Sequence, residues 1–379
     1  MEIPFNYGRI VTGENYTDRV EDVKHLNSNF KAMTNTTIIS PRRWGKSSLV
    51  NKAIEMLQET SDEYIFVFLD VFNLKTQEAF LEGYARSVAR AFDNHSELRQ
   101  FISEVLPSNI RTEILLGNKN IFPVELRISL EHDNSKEYCP NILDMPQELA
   151  ERKGKKVIVC IDEFQVITEY EDSLAFQRML RAAWQRHNKV AYCLFGSKFN
   201  MMTELVGNPR MPLYKFGDMF YLKKISTENW VKFITERFRS TGKSISPDTA
   251  GYLSNLVENH SYYVQQLAQL AWFRTDNTCT KETVDMAFSG LLDQLSMIFI
   301  QTVESLTSTQ SEFLRALCNG VTKFSSTELV NNYRVGTAAN VKNIRKALEK
   351  KEITTSFPNQ TEIQDPIFKY WLKNHYFYR

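Results

Sequence analysis

The sequence predicts a parallel α/β domain, then a small all-helical domain, then a unit of three helices closed by a β-hairpin. Three observations predict it. Apolar strand-like runs alternate with helical patterns through the first half, the texture turns helical from Ser226, and two short β-rich runs flank Pro358-Asn359 near the C terminus.

The first strand is the short run Thr37-Ile38-Ile39, and the helix-like Leu49 to Leu57 follows it. Between them stand Ser40-Pro41-Arg42-Arg43-Trp44-Gly45-Lys46-Ser47-Ser48. A strand feeding a tight turn that opens a helix aims backbone N–H groups and the positive helix end at one anion, so these nine residues read as a phosphate-binding loop. Lys46 would reach the β- and γ-phosphates of a nucleotide, and Ser47 would ligate Mg²⁺. The usual pattern, G-x-x-x-x-G-K-[ST], opens on Gly where this chain has Ser40, a residue that tolerates a positive φ less easily. Gly-Lys-Ser also stands at ordinary helix starts, so a second element has to decide.

Tyr64 to Asp70 reads as the second strand, and Gln77 to Leu106 as one or two helices. Pro107 to Asn141 is mixed, an insertion with one candidate strand in Val124 to Leu130. The deciding element is the unbroken apolar run Val157 to Ile161, which ends in Asp162-Glu163-Phe164-Gln165. Such a run is a buried parallel strand, whose carboxyl end is where ligands sit in open α/β sheets. Asp162 is placed to hold Mg²⁺, directly or through water, and Glu163 to orient and deprotonate an attacking water. A fourth strand, Val190 to Phe195, leads into Gly196-Ser197. Ser197 is either a sensor of the γ-phosphate or a plain loop serine, and Arg210 either approaches phosphate or is a surface arginine.

From Ser226, with weak cap signals at Ser226-x-x-Asn229 and Thr227-x-x-Trp230, the periodic Trp230, Phe233, Ile234 and Phe238 begin a helical lid. Helices over Pro247 to Glu258 and Tyr262 to Phe273 continue it, and Trp230, Tyr262, Tyr263 and Trp272 read as its core before they read as base-stacking platforms. Thr307-x-x-Gln310 then caps a helix running to Cys318, Ser325 to Glu328 starts a second, and Gly336-Thr337 opens a third with Val341, Ile344 and Leu348 inward. Three helices and a hairpin are the winged-helix plan, whose third helix can enter a major groove. Lys342, Arg345, Lys346 and Lys350 on its outer side suit DNA, and a solvated basic face explains the same residues without any DNA. The expected domains are 1–222, 223–300 and 301–379.

With 379 residues the chain can hold two or three full cores, and its net charge of +1 leaves no global footprint for nucleic acid. Five scattered cysteines without a C-x-x-C pair imply reduced, buried thiols and a cytoplasmic setting. No signal-peptide core or bilayer-length run stands out, so no membrane partner is expected. The six histidines lack zinc-site spacing, which leaves Mg²⁺ bound with nucleotide as the metal to expect.

These residues resemble a known group, the prokaryotic AAA-like, STAND-related P-loop ATPases often called the archaeal-type ATPase family, with a winged-helix domain behind the lid. The resemblance spans nearly the whole chain. It is carried by Tyr7-Gly8-Arg9-Ile10-Val11, Tyr16 to Glu21, Pro41 to Leu49, Asp162-Glu163-Phe164-Gln165, Gly196-Ser197 and Asp365-Pro366-Ile367-Phe368-Lys369-Tyr370-Trp371. It implies an α/β P-loop NTPase core, a parallel sheet between helices, followed by helical lid and winged helix. It also implies ATP or ADP with Mg²⁺, contacted by Tyr7, the loop from Ser40 to Ser48, and His260. Three departures bear on turnover more than on binding. Ser40 opens the loop, Pro212-Leu213-Tyr214-Lys215-Phe216 replaces P-L-Y-G-R, and Asn259-His260-Ser261-Tyr262-Tyr263 replaces G-H-P-Y-Y. Loss of a transition-state arginine slows phosphoryl transfer by orders of magnitude, so slow hydrolysis is expected. No acidic cluster follows Trp371, and nuclease activity is not expected.

Two functions of different class follow. The first is a slow Mg²⁺-dependent ATPase whose nucleotide state switches its winged-helix domain, with Glu163 and Ser197 in the chemistry, Ser47 and Asp162 on the metal, and a DNA or protein partner. The second is a DNA-binding or protein-scaffold module that keeps its nucleotide as a structural element and does not hydrolyse it.

Overall fold

The structure, a computed structural model, describes residues 3–11, 13–92, 94–107, 110–116, 124–129, 135–321, 332–357 and 360–378. Its packing divides the chain into two compact units. One comprises Arg19–Arg42 and Lys46–Leu222, the other Met1–Asp18, Arg43–Gly45 and Lys223–Arg379.

The α/β unit contains α1 (Val20–Lys31), β1 (Thr36–Ile39), α2 (Lys46–Thr60), β2 (Tyr64–Asp70), α3 (Gln77–Ala89), α4 (His95–Val105), β3 (Arg111–Leu116), β4 (Val124–Ser129), α5 (Ser135–Lys153), β5 (Lys156–Asp162), α6 (Ser173–Trp184), β6 (Val190–Gly196), α7 (Phe199–Gly207) and β7 (Asp218–Tyr221). Five strands form one sheet in the order β2-β5-β6-β1-β7, with every pairing parallel. The apolar runs explain the centre, since every residue of β6 and the interior of β5 are buried. The register sets Asp70 beside Asp162 and Ile39 beside Gly196, so the ends of four strands meet along one edge. Side-chain caps start the helices of the long connection, Thr76 accepting from the Ala79 N–H and Asn94 from that of Glu97.

Two elements differ from the sequence reading. β7 is a four-residue edge strand whose pattern is only partly apolar. Its entry is set by close approach, because Gly217 has φ 89° and a Cβ there would lie 2.0 Å from the Asn35 carbonyl oxygen. The mixed segment from Pro107 holds the β3–β4 hairpin and then the start of α5, which runs through Pro140 and Pro146. Proline's missing N–H masks a helix in sequence, while burial of Ile142, Leu143, Met145, Leu149 and Ala150 holds this one.

The second unit contains α8 (Thr227–Arg239), β8 (Ser244–Ile245), α9 (Pro247–Leu256), α10 (Ser261–Phe273), β9 (Thr278–Cys279), α11 (Lys281–Glu304), α12 (Ser308–Cys318), α13 (Ala338–Lys350), β10 (Thr354–Phe357), β11 (Gln360–Ile363) and α14 (Pro366–Trp371). Of the two weak cap signals, Ser226 is the one used, accepting from Asn229. Thr307 and Gln310 form a full capping box, and Thr337 caps α13. The helix expected from Ser325 lies outside the described residues. One continuous core runs from Phe5 through Trp230, Leu267 and Leu291 to Ile344, Ile367 and Leu372. Phe5 is buried and meets Phe233 and Phe238 at centroid distances of 6.1 and 5.6 Å.

By length and composition alone α11 is apolar enough to cross a membrane, with 24 residues and a mean hydropathy of 1.3 in its most apolar stretch. Its buried residues Val284, Ala287, Phe288, Leu291, Phe299 and Val303 belong to this core. All five cysteines are buried and free.

Among the described residues, two polar links tie the segment 258–263 to the start of α14. The Tyr263 hydroxyl donates to Asp365 Oδ2, while Asp365 Oδ1 accepts the N–H groups of Ile367 and Phe368 at 2.9 and 3.0 Å and so caps α14. Glu258 receives Lys369 at 2.7 Å and Lys224 at 3.6 Å.

Candidate functional site

The loop between β1 and α2 carries its positive φ values at Arg43 (62°) and Gly45 (91°), and Ser40 needs none. Serine in the first place therefore adds no backbone strain. It adds a hydroxyl instead. Lys46, the first residue of α2, is buried, and its ammonium donates to Ser40 O at 3.1 Å, Ser40 Oγ at 3.3 Å and Pro41 O at 2.9 Å. Burial lowers its pKa to about 8 against the pull of Glu163 and Asp162, with Arg42 and Arg19 lowering it further. The ammonium still carries its charge at neutral pH. Ser48 is buried within the first turn of α2.

Ser47 Oγ donates to Asp162 Oδ2 at 3.0 Å, across 115 residues of sequence. Burial raises the Asp162 pKa to about 6. The Glu163 N–H opposes the rise at 2.8 Å from Oδ1, the Glu163 and Asp70 carboxylates add to it, and Ser47 opposes it. A hydroxyl and a carboxylate in contact are the hard oxygen donors that Mg²⁺ takes, usually with waters and phosphate oxygens in its other places. Among the described residues no group of three or more His, Cys, Asp or Glu side chains converges.

Glu163 follows β5 in the left-handed region, φ 54° and ψ 33°. Its Oε2 accepts from Ser197 Oγ at 2.9 Å and from the Ser197 N–H at 3.4 Å, and Arg42 Nε donates to Ser197 Oγ at 3.1 Å. The α/β unit thus brings together Ser40, Pro41, Arg42, Lys46, Ser47, Asp162, Glu163 and Ser197.

The other unit holds the remaining residues named from sequence. Tyr7 meets Tyr262 edge-on at 5.4 Å, and the Arg43 guanidinium lies 4.3 Å over the same ring. Lys224 sits 5.7 Å over Trp44, a contact of the short segment that ends at Gly45. His260 is buried at the start of α10, and its Nδ1 has no partner among the described residues. Burial, then Lys224 and Arg43, lower its pKa to about 3. The unfolded chain therefore binds more protons between pH 6.5 and 3, so this residue's contribution to stability is present above pH 6.5 and falls away with acidification. His260→Gln is expected to be less acid-sensitive than the native chain by about 3 kcal/mol at pH 4, measured by denaturant unfolding at pH 7 and pH 4.

The sequence reading missed three contributors. Asp70 is the register partner of Asp162, and its signal was an apolar run ending in an acid. Arg19, buried and paired with Asp22 at 3.0 Å, acts on Lys46 through its charge. Gln165 donates to Glu163 Oε2. Arg210 has an exposed side chain. Phe216 is buried against Trp184 and Tyr192 at 5.7 and 6.3 Å, so the position that departs from P-L-Y-G-R serves the core.

Residues 16–267 match the family described as an ATPase domain predominantly from Archaea, and residues 297–374 match a probable winged-helix domain. No curated protein matches the sequence. Among solved structures, the Walker-type ATPase PABY2304 of Pyrococcus abyssi is 18% identical, with a TM-score of 0.64 over 98% of this chain and 99% of its own. The ORC2 protein of Aeropyrum pernix in its ADPNP–ADP complexes is 13% identical, with a TM-score of 0.58 over 98% and 96%. Its ADP form is 12% identical, with a TM-score of 0.52 over 93% of each chain. At these identities the likeness is one of fold.

Proposed function

We propose, from the premise that the chain belongs to the family of ATPase domains found predominantly in Archaea and carries a winged-helix domain behind it, that it is a slow Mg²⁺-dependent ATPase whose nucleotide state controls what the winged helix engages. The observation that carries this reading is the Ser47–Asp162 contact with the Lys46 ammonium and the Glu163 carboxylate in the same site.

Lys46 and the N–H groups opening α2 bind phosphate, and Lys46 exchanges one of its three loop oxygens for a phosphate oxygen as it does so. Ser47 and Asp162 would hold Mg²⁺, which would supply positive charge against the phosphates. Glu163 takes the proton of the attacking water, and Ser197 orients it. Tyr7, Arg43 and His260 are assigned to the nucleotide by family resemblance. The buried Phe216 supports slow turnover, because that position offers no cation to the transition state.

For the controlled half, the bonds from Tyr263 and Lys369 to Asp365 and Glu258 tie lid helices to the winged helix, so a change in one is felt by the other. Lys342, Lys346 and Lys350 stand exposed on α13, which makes duplex DNA the first partner to try.

The test is a titration of ATP with and without Mg²⁺ and a single-turnover hydrolysis assay on the same preparation. Mg²⁺-dependent binding with hydrolysis on the order of 10⁻² s⁻¹ or slower is expected. Hydrogen exchange of residues 301–379 should differ between the ATP and ADP complexes. Tight ATP binding with no turnover and no such difference would favour the scaffold function, and absence of binding would sink both.

A further inference from the structure

Gln165 is 1% exposed, in the 3-10 turn that follows β5. Its Nε2 donates to Glu163 Oε2, the oxygen that also receives the Ser197 hydroxyl and N–H. Its Oε1 has no hydrogen-bond partner among the described residues. The carboxamide is wedged against Gly196, where a Cβ would lie 1.8 Å from Oε1 and 3.0 Å from Cδ. An amide buried with its carbonyl unsatisfied is an arrangement that an apolar side chain of the same length would avoid, so packing alone does not account for it. Its compensation is the charge-assisted bond to Glu163.

That carboxylate needs holding. Glu163 sits in the left-handed backbone region, which side chains of its kind seldom occupy, and local geometry alone does not determine where its head points. Donors from two directions, Gln165 on the turn after β5 and Ser197 at the end of β6, converge on Oε2 and leave Oε1 as the oxygen for the proton.

We propose that Gln165 is a positioning residue that, with Ser197, clamps Glu163 through one oxygen, and that Gly196 is glycine to admit its carboxamide. The proposal rests on the ATPase reading and concerns rate alone, because Gln165 has no bond to Lys46, Ser47 or Asp162 among those observed.

The experiment compares native protein, Gln165→Met, Gln165→Leu and Glu163→Gln by single-turnover hydrolysis, ATP dissociation constant and thermal midpoint. Methionine keeps the length and removes the donor, and leucine serves if the methionine variant does not fold. Expected is a fall in hydrolysis of about tenfold or more with the ATP dissociation constant within about threefold of native. The fall should vanish in the double variant Gln165→Met/Glu163→Gln, since the side chain acts through Glu163. A structural role would lower binding, rate and midpoint together, and that result overturns the proposal. So does a native rate in Gln165→Met, or an undiminished loss in the double variant. A native protein that binds ATP without hydrolysing it ends the ATPase reading and this proposal together. A native enzyme inactivated by Glu163→Gln but untouched by Gln165→Met ends this proposal alone.

Discussion

Replacing Lys46 by alanine is expected to abolish ATP binding, raising the dissociation constant by about 100-fold or more, since truncating a buried, hydrogen-bonded charge facing another charge costs roughly 2–5 kcal/mol. The lysine is buried, charged at neutral pH and held by three oxygens of the loop it would serve. Its removal deletes the buried ammonium at the start of α2 and takes from the Ser40 and Pro41 oxygens the donor that Lys46 gives them. The measurement is calorimetric titration of ATP in Mg²⁺, with circular dichroism to establish that the variant is folded. An unchanged dissociation constant in a folded variant would mean that the loop after β1 is not the phosphate site.

Glu163→Gln is expected to separate binding from chemistry. Amide and carboxylate have the same shape, and the amide oxygen can still accept from Ser197, so the ATP dissociation constant should stay within about threefold of native. Single-turnover hydrolysis should fall by about 10² to 10⁴, the range that a general base contributes. The outcome separates the two functions of the site. A large loss of rate with retained binding assigns the proton transfer to Glu163. An unchanged rate would mean that the water is activated elsewhere and that the Glu163–Ser197–Arg42 chain of bonds is structural.

Much of this site could be read along the chain. The strand–loop–helix from Thr36 to Thr60 and the acidic end of β5 are local patterns: an apolar run, a turn residue, a helix start. The same holds for the Thr307–Gln310 capping box and for the paired strands around residues 354–363. Elements whose signal is weak locally were harder. β7 is short and edge-placed, and α5 crosses two prolines, so both depend on partners elsewhere in the chain.

By itself, then, the sequence determined the main parallel strands and the helices that follow them, and it placed a lysine and a serine after β1 to meet a carboxylate after β5, because each is written in contiguous residues with their own periodicity or chemistry. Only the tertiary structure decided the rest. It put the positive φ values of the loop on Arg43 and Gly45 rather than Ser40, set Asp70 beside Asp162, joined Phe5 to the helical core, and wedged Gln165 against Gly196 beneath Glu163. Each of these depends on sheet register or side-chain packing between residues distant in the chain, and such contacts are chosen by the close-packed whole rather than by any local run.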